Sequence, residues 1–182
     1  MKGSRALFIG RFQPFHNGHL ATAKRILEKH GEVIIGIGSA QYSHTGENPF
    51  TAAERFEMIQ RALDAEGIRN YHIIPIPDTH VHSVWVGHVL SLIPKFDAVY
   101  TNSALVIRLF KERGINVVSL PMIAREDLSG TEVRKRMFSD GDWEALVPRS
   151  VAAYIREIDG LQRIKETYRY ATPYGTRQNS DE

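Results

Sequence analysis

The sequence lacks cysteine altogether, and it contains no long hydrophobic run. Because none of its 182 residues is cysteine, disulfide frameworks, thiol nucleophiles, iron–sulfur clusters and zinc knuckles are excluded. No apolar run approaches the ~20 residues that cross a bilayer. The single short apolar stretch near the N-terminus ends at Gly10-Arg11, which is untypical of a signal peptide. These absences predict a cytoplasmic protein with no membrane segment.

An excess of charge of one sign is also missing. The chain has 23 Lys and Arg against 21 Asp and Glu, for a formal net charge of +2. It shows neither a basic stripe nor aromatic residues interleaved with basic ones, so the composition predicts no nucleic-acid partner. The eight histidines, in contrast, are unevenly placed, since all lie between positions 16 and 88.

The length favours one domain of ordinary size. A chain this long buries roughly 70% of its unfolded surface, so it needs no metal or disulfide to fold. Residues 1–170 are predicted to form this single domain. Residues 171–182 are polar and rich in turn formers, and they are predicted to be a disordered tail.

Short β-rich runs alternate with helical patterns along the chain. Apolar periodicity and capping signals predict helices between the strands and a helical C-terminus, with Gly31 as a left-handed residue after the first helix. Parallel crossovers need about a dozen residues, so this alternation predicts an α/β fold with a doubly wound, parallel, five-stranded sheet. Ligands of such sheets bind at the carboxyl ends of the strands. The predicted strands are 5–10, 33–38, 71–76, 97–101 and 115–118.

The loop after the first strand has the properties of a phosphate-binding site. Gly10 permits a close backbone approach, and Gly18 leaves the first turn of the following helix free of side-chain bulk. The N–H groups and the positive dipole end of that turn attract anions. His16 and His19 are three residues apart and lie on one face, where both can donate to one anion. Arg11 adds a planar cation.

Two other interpretations of this loop stay open. The two histidines are spaced as metal ligands can be, but no nearby Asp, Glu or Cys completes a coordination shell. The same residues also suit an ordinary helix start with polar caps.

A second segment, near the other end of the chain, has matching chemistry. Ser129, Gly130 and Thr131 begin a predicted helix with a capping box, and Arg134 and Arg136 follow within two turns. Backbone N–H groups, hydroxyls and guanidinium groups suit the oxygens of a triphosphate. Alone, the segment also fits a well-capped helix with solvated arginines. The two segments together, in this order, favour a nucleoside triphosphate.

These segments resemble a known family. The His-x-Gly-His pattern and the Ser-Gly-Thr-x-x-Arg pattern resemble the two signatures of the nucleotidyltransferase superfamily. More narrowly, the chain resembles the archaeal-type nicotinamide-nucleotide adenylyltransferases from about residue 5 to about residue 165. The segments that carry this narrower likeness are 10–19, 38–41, 48–51 and 129–136.

The resemblance implies a Rossmann-like sheet and transfer of AMP from ATP to nicotinamide mononucleotide (NMN), giving NAD and pyrophosphate. It implies Mg2+ bound mainly by the ATP phosphates, and a homo-oligomer, often a hexamer. An adenylyltransferase for another acceptor (nicotinate mononucleotide, FMN or phosphopantetheine) and a nucleotide sensor without turnover are the alternatives.

The resemblance also assigns roles at the ATP end of the site. It places His16 and His19 on the ATP phosphates, with His19 stabilising the α-phosphate, and Arg11 between the phosphates of the two substrates. Gly10, Gly18 and Gly130 belong to the same ATP site. The residues expected at the β- and γ-phosphates are Ser129, Thr131, Arg134 and Arg136, of which Arg136 is counted with His16, His19 and Arg11 as catalytic.

The acceptor end is predicted from three residues. Trp85 suits stacking on a pyridinium ring, Asp78 can accept from a carboxamide or a ribose, and Ser39 can donate to a phosphate. Trp85 also fits a core position, and Asp78 a turn. Four residues depart from the family pattern and bear on acceptor binding: Glu47, His80, His82 and Ser103.

Overall fold

The protein forms a five-stranded parallel sheet with helices on both faces. A computed structural model describes residues 3–119 and 128–170. Every neighbouring pair of strands is parallel, in the order β3-β2-β1-β4-β5. The predicted Rossmann-like, doubly wound fold is confirmed. The strands are β1 (Arg5–Gly10), β2 (Glu32–Ile37), β3 (Tyr71–Pro75), β4 (Ala98–Thr101) and β5 (Val117–Ser119).

The helices lie between the strands and continue after the last strand, as the sequence predicted. The first begins at Asn17, directly after the histidine of its N-cap, and the second follows a complete capping box between Thr51 and Glu54. A short 3-10 turn covers Glu144–Leu146. The helices are α1 (Asn17–Lys29), α2 (Ala52–Ala65), α3 (His82–Leu92), α4 (Ala104–Glu112), α5 (Gly130–Phe138), α6 (Arg149–Glu157) and α7 (Gly160–Tyr170).

The alternation of side chains along the strands divides the core into two layers. In β1, Ala6 and Phe8 belong to one buried cluster, and Leu7 and Ile9 belong to the other. The first cluster is covered by α1, α2 and α5–α7, and the second by α3 and α4. Apolar burial on both faces explains why the central strands read as nearly continuous hydrophobic runs.

Two local predictions were wrong. Strand β5 begins at Val117 rather than at 115, because the Ile115 N–H closes the end of α4 on the carbonyl of Phe110 (3.1 Å). Gly31 does not adopt a left-handed conformation, since α1 ends with His30 in an extended conformation. A Cβ at Gly31 would lie 3.0 Å from the backbone N of Gly3, so glycine at this position permits the two backbone segments to lie close together.

The strand order reverses beside β1, which lies between β2 and β4. At this reversal the loops after adjacent strands diverge and leave a crevice at the carboxyl edge of the sheet. The loop after β1 and the N-terminus of α1 therefore lie at the centre of that edge. Within the described residues, no helix has the length and apolar character needed to span a membrane. The predicted tail, 171–182, lies outside those residues.

Candidate active site

A cavity of about 840 Å3 opens at the carboxyl edge of the sheet. It brings together most of the residues that the sequence singled out from three different loops and two helix N-termini. Among the described residues, the predicted ones that line it are Gly10, Arg11, His16, Gly18, His19, Ser39, Asp78, Trp85, Ser129 and Gly130.

His16 and His19 form one stacked pair at the start of α1. Their ring centroids are 3.5 Å apart and the rings are inclined by only 22°. The His16 backbone N–H donates to Nδ1 of His19 (3.2 Å). Because Nδ1 accepts this hydrogen bond, the neutral His19 ring carries its proton on Nε2. The pair thus presents a defined N–H donor to the cavity.

Burial keeps both imidazoles uncharged. His19 packs against Phe12 (4.8 Å between centroids) and Phe15 (5.4 Å). Burial lowers the pKa of His16 to about 4. The pKa of His19 lies well below its ordinary value, mainly because the ring is buried and also because His16 is close to it. Near neutral pH the two rings are neutral donors, so the positive charge of the site must come from other groups.

The start of α1 offers further donors. The N–H groups of His19 and Leu20 already bond to the carbonyl of His16 (2.9 and 3.1 Å), whereas those of Asn17 and Gly18 precede the first helical hydrogen bond. Nδ1 of His16 is buried and has no hydrogen-bond partner in the described part of the chain. Unsatisfied donors and acceptors grouped beside a cavity are typical of a ligand site.

The N-terminus of α5 meets this loop directly. A Cβ at Gly130 would lie 3.1 Å from the carbonyl oxygen of Gln13, so the close contact favours glycine. Ser129 caps α5 by accepting from the N–H of Glu132 (3.1 Å). Two segments more than one hundred residues apart therefore share one cavity, as the sequence predicted.

The predicted arginines of α5 face other groups in this structure. Arg134 is buried and donates to the carbonyls of Gln13 (2.8 Å) and Gly46 (3.1 Å), and its Nη2 lies 3.4 Å from the Thr131 hydroxyl. The Glu132 carboxylate pairs with Arg136 (2.8 Å). Of the predicted capping box, therefore, only the hydrogen bond from the Glu132 N–H to the Ser129 hydroxyl forms. Among the described lining residues, Thr131, Arg134 and Arg136 are absent. Their phosphate-binding role stays a prediction.

Arg11 reaches the cavity from the loop after β1. Its Nη1 lies 3.2 Å from the Glu47 carboxylate, and both side chains are well exposed. An exposed pair of this kind contributes little to stability. Arg11 is therefore free to exchange this carboxylate for a phosphate. In this structure the Arg11 guanidinium is paired with Glu47, one of the four departures from the family pattern.

Ser39, Asp78 and Trp85 lie on the β2 and β3 side of the cavity. Ser39 adopts a left-handed backbone (φ 51°) and donates to the Asp78 carboxylate (2.7 Å). Trp85 is 8% exposed and packs edge-on against Phe110 with 5.8 Å between ring centroids. It serves both in the core and in the cavity wall. The remaining departures, His80, His82 and Ser103, also line the cavity.

Two buried polar residues were missed by the sequence analysis. Arg55 is fully buried on α2, and its guanidinium contacts the loops after β1 and β2. Gln13 is 3% exposed and exchanges two hydrogen bonds with the backbone of Phe50 (2.8 and 3.0 Å). A signal for Arg55 exists, since it shares the buried helical stripe of Met58 and Ile59. A charge on such a stripe indicates a specific partner.

One wall of the cavity was also missed. Helix α1 contributes Thr22 and Arg25, and α4 contributes Val106 and Leu109. Arg25 is exposed and has no ion-pair partner within residues 3–119 and 128–170. Thr22 and Arg25 follow Gly18 at helical spacing, which is the signal that could have indicated this wall.

Comparisons with known proteins agree with this geometry. A family model described as cytidylyltransferase-like matches residues 7–136. Two curated relatives are nicotinamide-nucleotide adenylyltransferases: one from Thermoplasma volcanium is 54% identical over 165 residues, covering 91% of this chain and 93% of the relative. The other, from Archaeoglobus fulgidus, is 52% identical over 167 residues, covering 89% and 96%.

A solved structure shows the same fold. It is a bifunctional NMN adenylyltransferase/ADP ribose pyrophosphatase from Francisella tularensis, complexed with AMP and a manganese ion. The TM-score is 0.69 at 24% identity, and the match covers 92% of this chain and 53% of that one. This chain thus spans about half the length of that neighbour.

The fold and the shared cavity at two helix N-termini define a nucleotidyltransferase. The family match covers most of the chain, and the curated relatives align over nearly their whole length. The chain belongs to the cytidylyltransferase-like family and, within it, to the nicotinamide-nucleotide adenylyltransferases.

The depressed pKa of His16 predicts a specific loss of stability in acid. The folded protein holds this ring neutral down to about pH 4, whereas the unfolded chain takes up its proton near pH 6.5. The unfolded state therefore binds more protons between these values, and the free energy of unfolding falls as the pH falls through that window. His16→Asn keeps an N-cap residue and should remove about 2 kcal/mol of this loss by pH 4.5.

Urea unfolding at pH 7 and at pH 4.5 measures this difference. The exposed His44→Asn controls for the loss of one imidazole elsewhere in the chain. Equal losses of stability in wild type and His16→Asn would contradict the assignment of a buried neutral ring.

Proposed function

We propose that this enzyme transfers AMP from ATP to NMN, forming NAD and releasing pyrophosphate. The observation that supports this most is the shared cavity, in which the N-termini of α1 and α5 face the loops that carry Ser39, Asp78 and Trp85. The first part suits a triphosphate, and the second suits a pyridine nucleotide. The names of the curated relatives agree with this assignment.

The chemistry needs no general base from the protein. The phosphate of NMN is mostly ionised near neutral pH, because its second pKa is about 6. One of its oxygens attacks the α-phosphorus of ATP, a new P–O bond forms, and the bond to the β-phosphate oxygen breaks. Pyrophosphate leaves with the electron pair of that bond. The task of the protein is to align two anions and to stabilise the charge that gathers between them.

The neutral histidines suit the second of these tasks. A buried N–H donor that is already in place stabilises charge as it develops and requires no reorganisation. His19 donates through Nε2, and the first-turn N–H groups of α1 add to it. Arg11 supplies the permanent positive charge that the imidazoles lack, once it exchanges Glu47 for a phosphate.

We propose that the metal enters with the nucleotide, as MgATP. Within the described residues, no group of three or more His, Cys, Asp or Glu side chains is arranged to hold a metal ion. Phosphate oxygens and water satisfy Mg2+ well without a protein cage. When bound, the ion neutralises charge on the phosphates. The Francisella tularensis neighbour was solved with a manganese ion, so the identity of the metal is part of the proposal.

The acceptor end is proposed to bind the pyridine ring between Trp85 and Asp78. The indole and the carboxylate both line this wall of the cavity, and an indole stacks well on a cationic ring. Ser39 holds the carboxylate in place through its 2.7 Å hydrogen bond. In this arrangement Asp78 accepts from the carboxamide or the ribose of the acceptor.

A panel of acceptors tests the proposed reaction. Pyrophosphate release from MgATP should require NMN and should be far slower with FMN or phosphopantetheine. Nicotinate mononucleotide, assayed beside NMN, reports the preference between acid and amide. Nucleotide binding without pyrophosphate release under all conditions would instead identify a sensor.

His19→Ala should lower kcat by on the order of 10²–10³, as expected for the loss of one transition-state donor. The effect should appear in kcat more than in the KM for ATP, since the donor acts on charge that develops during transfer. Steady-state pyrophosphate release measures both parameters.

The control for this variant is His72→Ala. His72 lies on β3, outside the cavity, and pairs with Glu32. Turnover by His19→Ala within threefold of His72→Ala would remove the role assigned to His19.

We also propose a cytoplasmic homo-oligomer, and a hexamer is the form that the resemblance implies. Helix α3 supports the assembly, because it contains no Asp, Glu, Lys or Arg. Val84, Leu90 and Leu92 on this helix are 40–52% exposed, as is Val81 directly before it. Exposed apolar side chains on a helix without charged residues support a proposed protein–protein contact.

Leu90→Glu should reduce the oligomer to smaller species, because it places a charge in the proposed contact. Light scattering coupled to size-exclusion chromatography measures the mass. Ala153→Glu, on the exposed side of α6, adds the same charge elsewhere and should leave the mass unchanged. A wild-type monomer, or an unchanged mass in Leu90→Glu, would contradict the proposed interface.

A further inference from the structure

Arg55 is a fully buried arginine directly behind the candidate active site. It lies in the first turn of α2 and has no exposed surface. An arginine is almost never buried to this extent without a specific set of partners. Its partners therefore indicate what it is for.

The guanidinium joins two loops at the carboxyl edge of the sheet. Nη1 donates to the carbonyl of Arg11 (2.9 Å), in the loop after β1, and to that of Gly38 (2.9 Å), at the start of the loop after β2. Nη2 donates to the carbonyl of Ser39 (3.2 Å), and Nε to that of Thr51 (3.2 Å). One rigid fork thus joins two loops from adjacent strands, beyond the backbone hydrogen bond from the Gly38 N–H to the Gly10 carbonyl (2.8 Å).

The groups it holds are those that face the two ends of the cavity. Arg11 carries the cation at the phosphate end, and Ser39 holds Asp78 at the acceptor end. Ser39 also has a left-handed backbone (φ 51°), which is unfavourable for a residue with a side chain. The hydrogen bond from Arg55 to the Ser39 carbonyl stabilises that conformation.

Among residues 3–119 and 128–170, no carboxylate is bonded to the Arg55 guanidinium. Its hydrogen bonds to described residues go to carbonyl oxygens, and the charges that act on it are those of Arg11, Asp78 and Glu54. Burial lowers its pKa to about 10, so it remains a cation near neutral pH. Such a charge is costly to bury, and a buried cation is tolerated where its hydrogen bonds are complete.

We propose that Arg55 is a positioning residue for AMP transfer. It fixes the separation of the phosphate-binding loop and the acceptor-binding loop, and so aligns the attacking phosphate with the α-phosphorus. The inference rests on the proposed function, because it assigns the two loops to the two substrates. Arg55 itself is not among the residues that line the cavity, so it acts through the two loops.

A positioning role has a kinetic consequence that simple stabilisation does not have. Each loop can still bind its own substrate if the separation changes by a fraction of an ångström, so both KM values should change little. In-line attack, however, is sensitive to misplacement, and about 1 Å can lower the rate 10²-fold. The loss should therefore appear in kcat.

Two variants and one control test this inference. Arg55→Lys keeps the charge but not the fork, and Arg55→Met removes both. The control is Arg163→Met, because Arg163 binds the α2 residue Glu54 (2.7 and 2.8 Å) and supports the same helix without bridging the two loops. Steady-state kinetics with MgATP and NMN, and thermal unfolding, are measured for each.

Both Arg55 variants should lose about 10²-fold in kcat, with each KM within about threefold of wild type. Arg163→Met should lose thermal stability but retain its kcat. Guanidinium ion, added well below denaturing concentrations, should partly restore Arg55→Met and leave Arg163→Met unchanged.

Three results would overturn the inference. These are a kcat near wild type in both folded Arg55 variants, a rise in either KM with unchanged kcat, or equal losses of kcat in Arg163→Met. If Arg55→Met does not fold, Arg55→Lys alone decides by the same criteria. Failure of wild type to use NMN would instead refute the proposed function, and the same comparison would then be made with the acceptor that it does use.

Discussion

The close approach of Gly130 to the carbonyl of Gln13 is the contact on which the candidate active site depends. It brings the N-terminus of α5 against the loop that precedes α1, so two helix dipoles point into one cavity. The hydrogen bond from Arg134 to the same carbonyl secures the contact from the other side. Without this junction, the two segments would be separate capped helices, and neither would form a site for a polyphosphate.

The electrostatics of the cavity follow from the same packing. The aromatic rings that hold His19 in place also exclude water from it, which is why the two imidazoles act as neutral donors rather than as cations. Positive charge then comes from Arg11 and Arg25 in the cavity wall, from the helix termini and from the buried Arg55 behind the wall. Fixed dipoles and cations bonded to carbonyl oxygens do not need to reorganise when charge develops. This combination of neutral donors and fixed positive charge suits an enzyme that binds two anions.

The sequence was sufficient for the fold and for the two helix N-termini that meet at the cavity, and the reasons are local. Strand and helix periodicity, the capping box at Thr51 and the Gly18 helix start are all encoded by near neighbours. What could not be predicted depends on long-range packing. Arg134 donates to the carbonyls of Gln13 and Gly46, which are distant in the chain, and no local pattern indicates these partners. Arg55 was missed because the partners of its guanidinium are backbone carbonyls of two loops that come together only in the folded protein.

On the side of Ser39 and Asp78, the cavity wall is made by two loops that side chains join to each other. The loops after β2 and β3 are linked to each other through Ser39 and Asp78 and through Gln41, whose side chain exchanges two hydrogen bonds with the backbone of Asp78 (2.9 and 3.2 Å). Because Arg55 holds the loop after β2 to the loop after β1, the two ends of the cavity cannot diverge independently. A redesign of this scaffold toward coenzyme analogues would therefore need to retain the buried arginine and vary the side chains of the loop after β3.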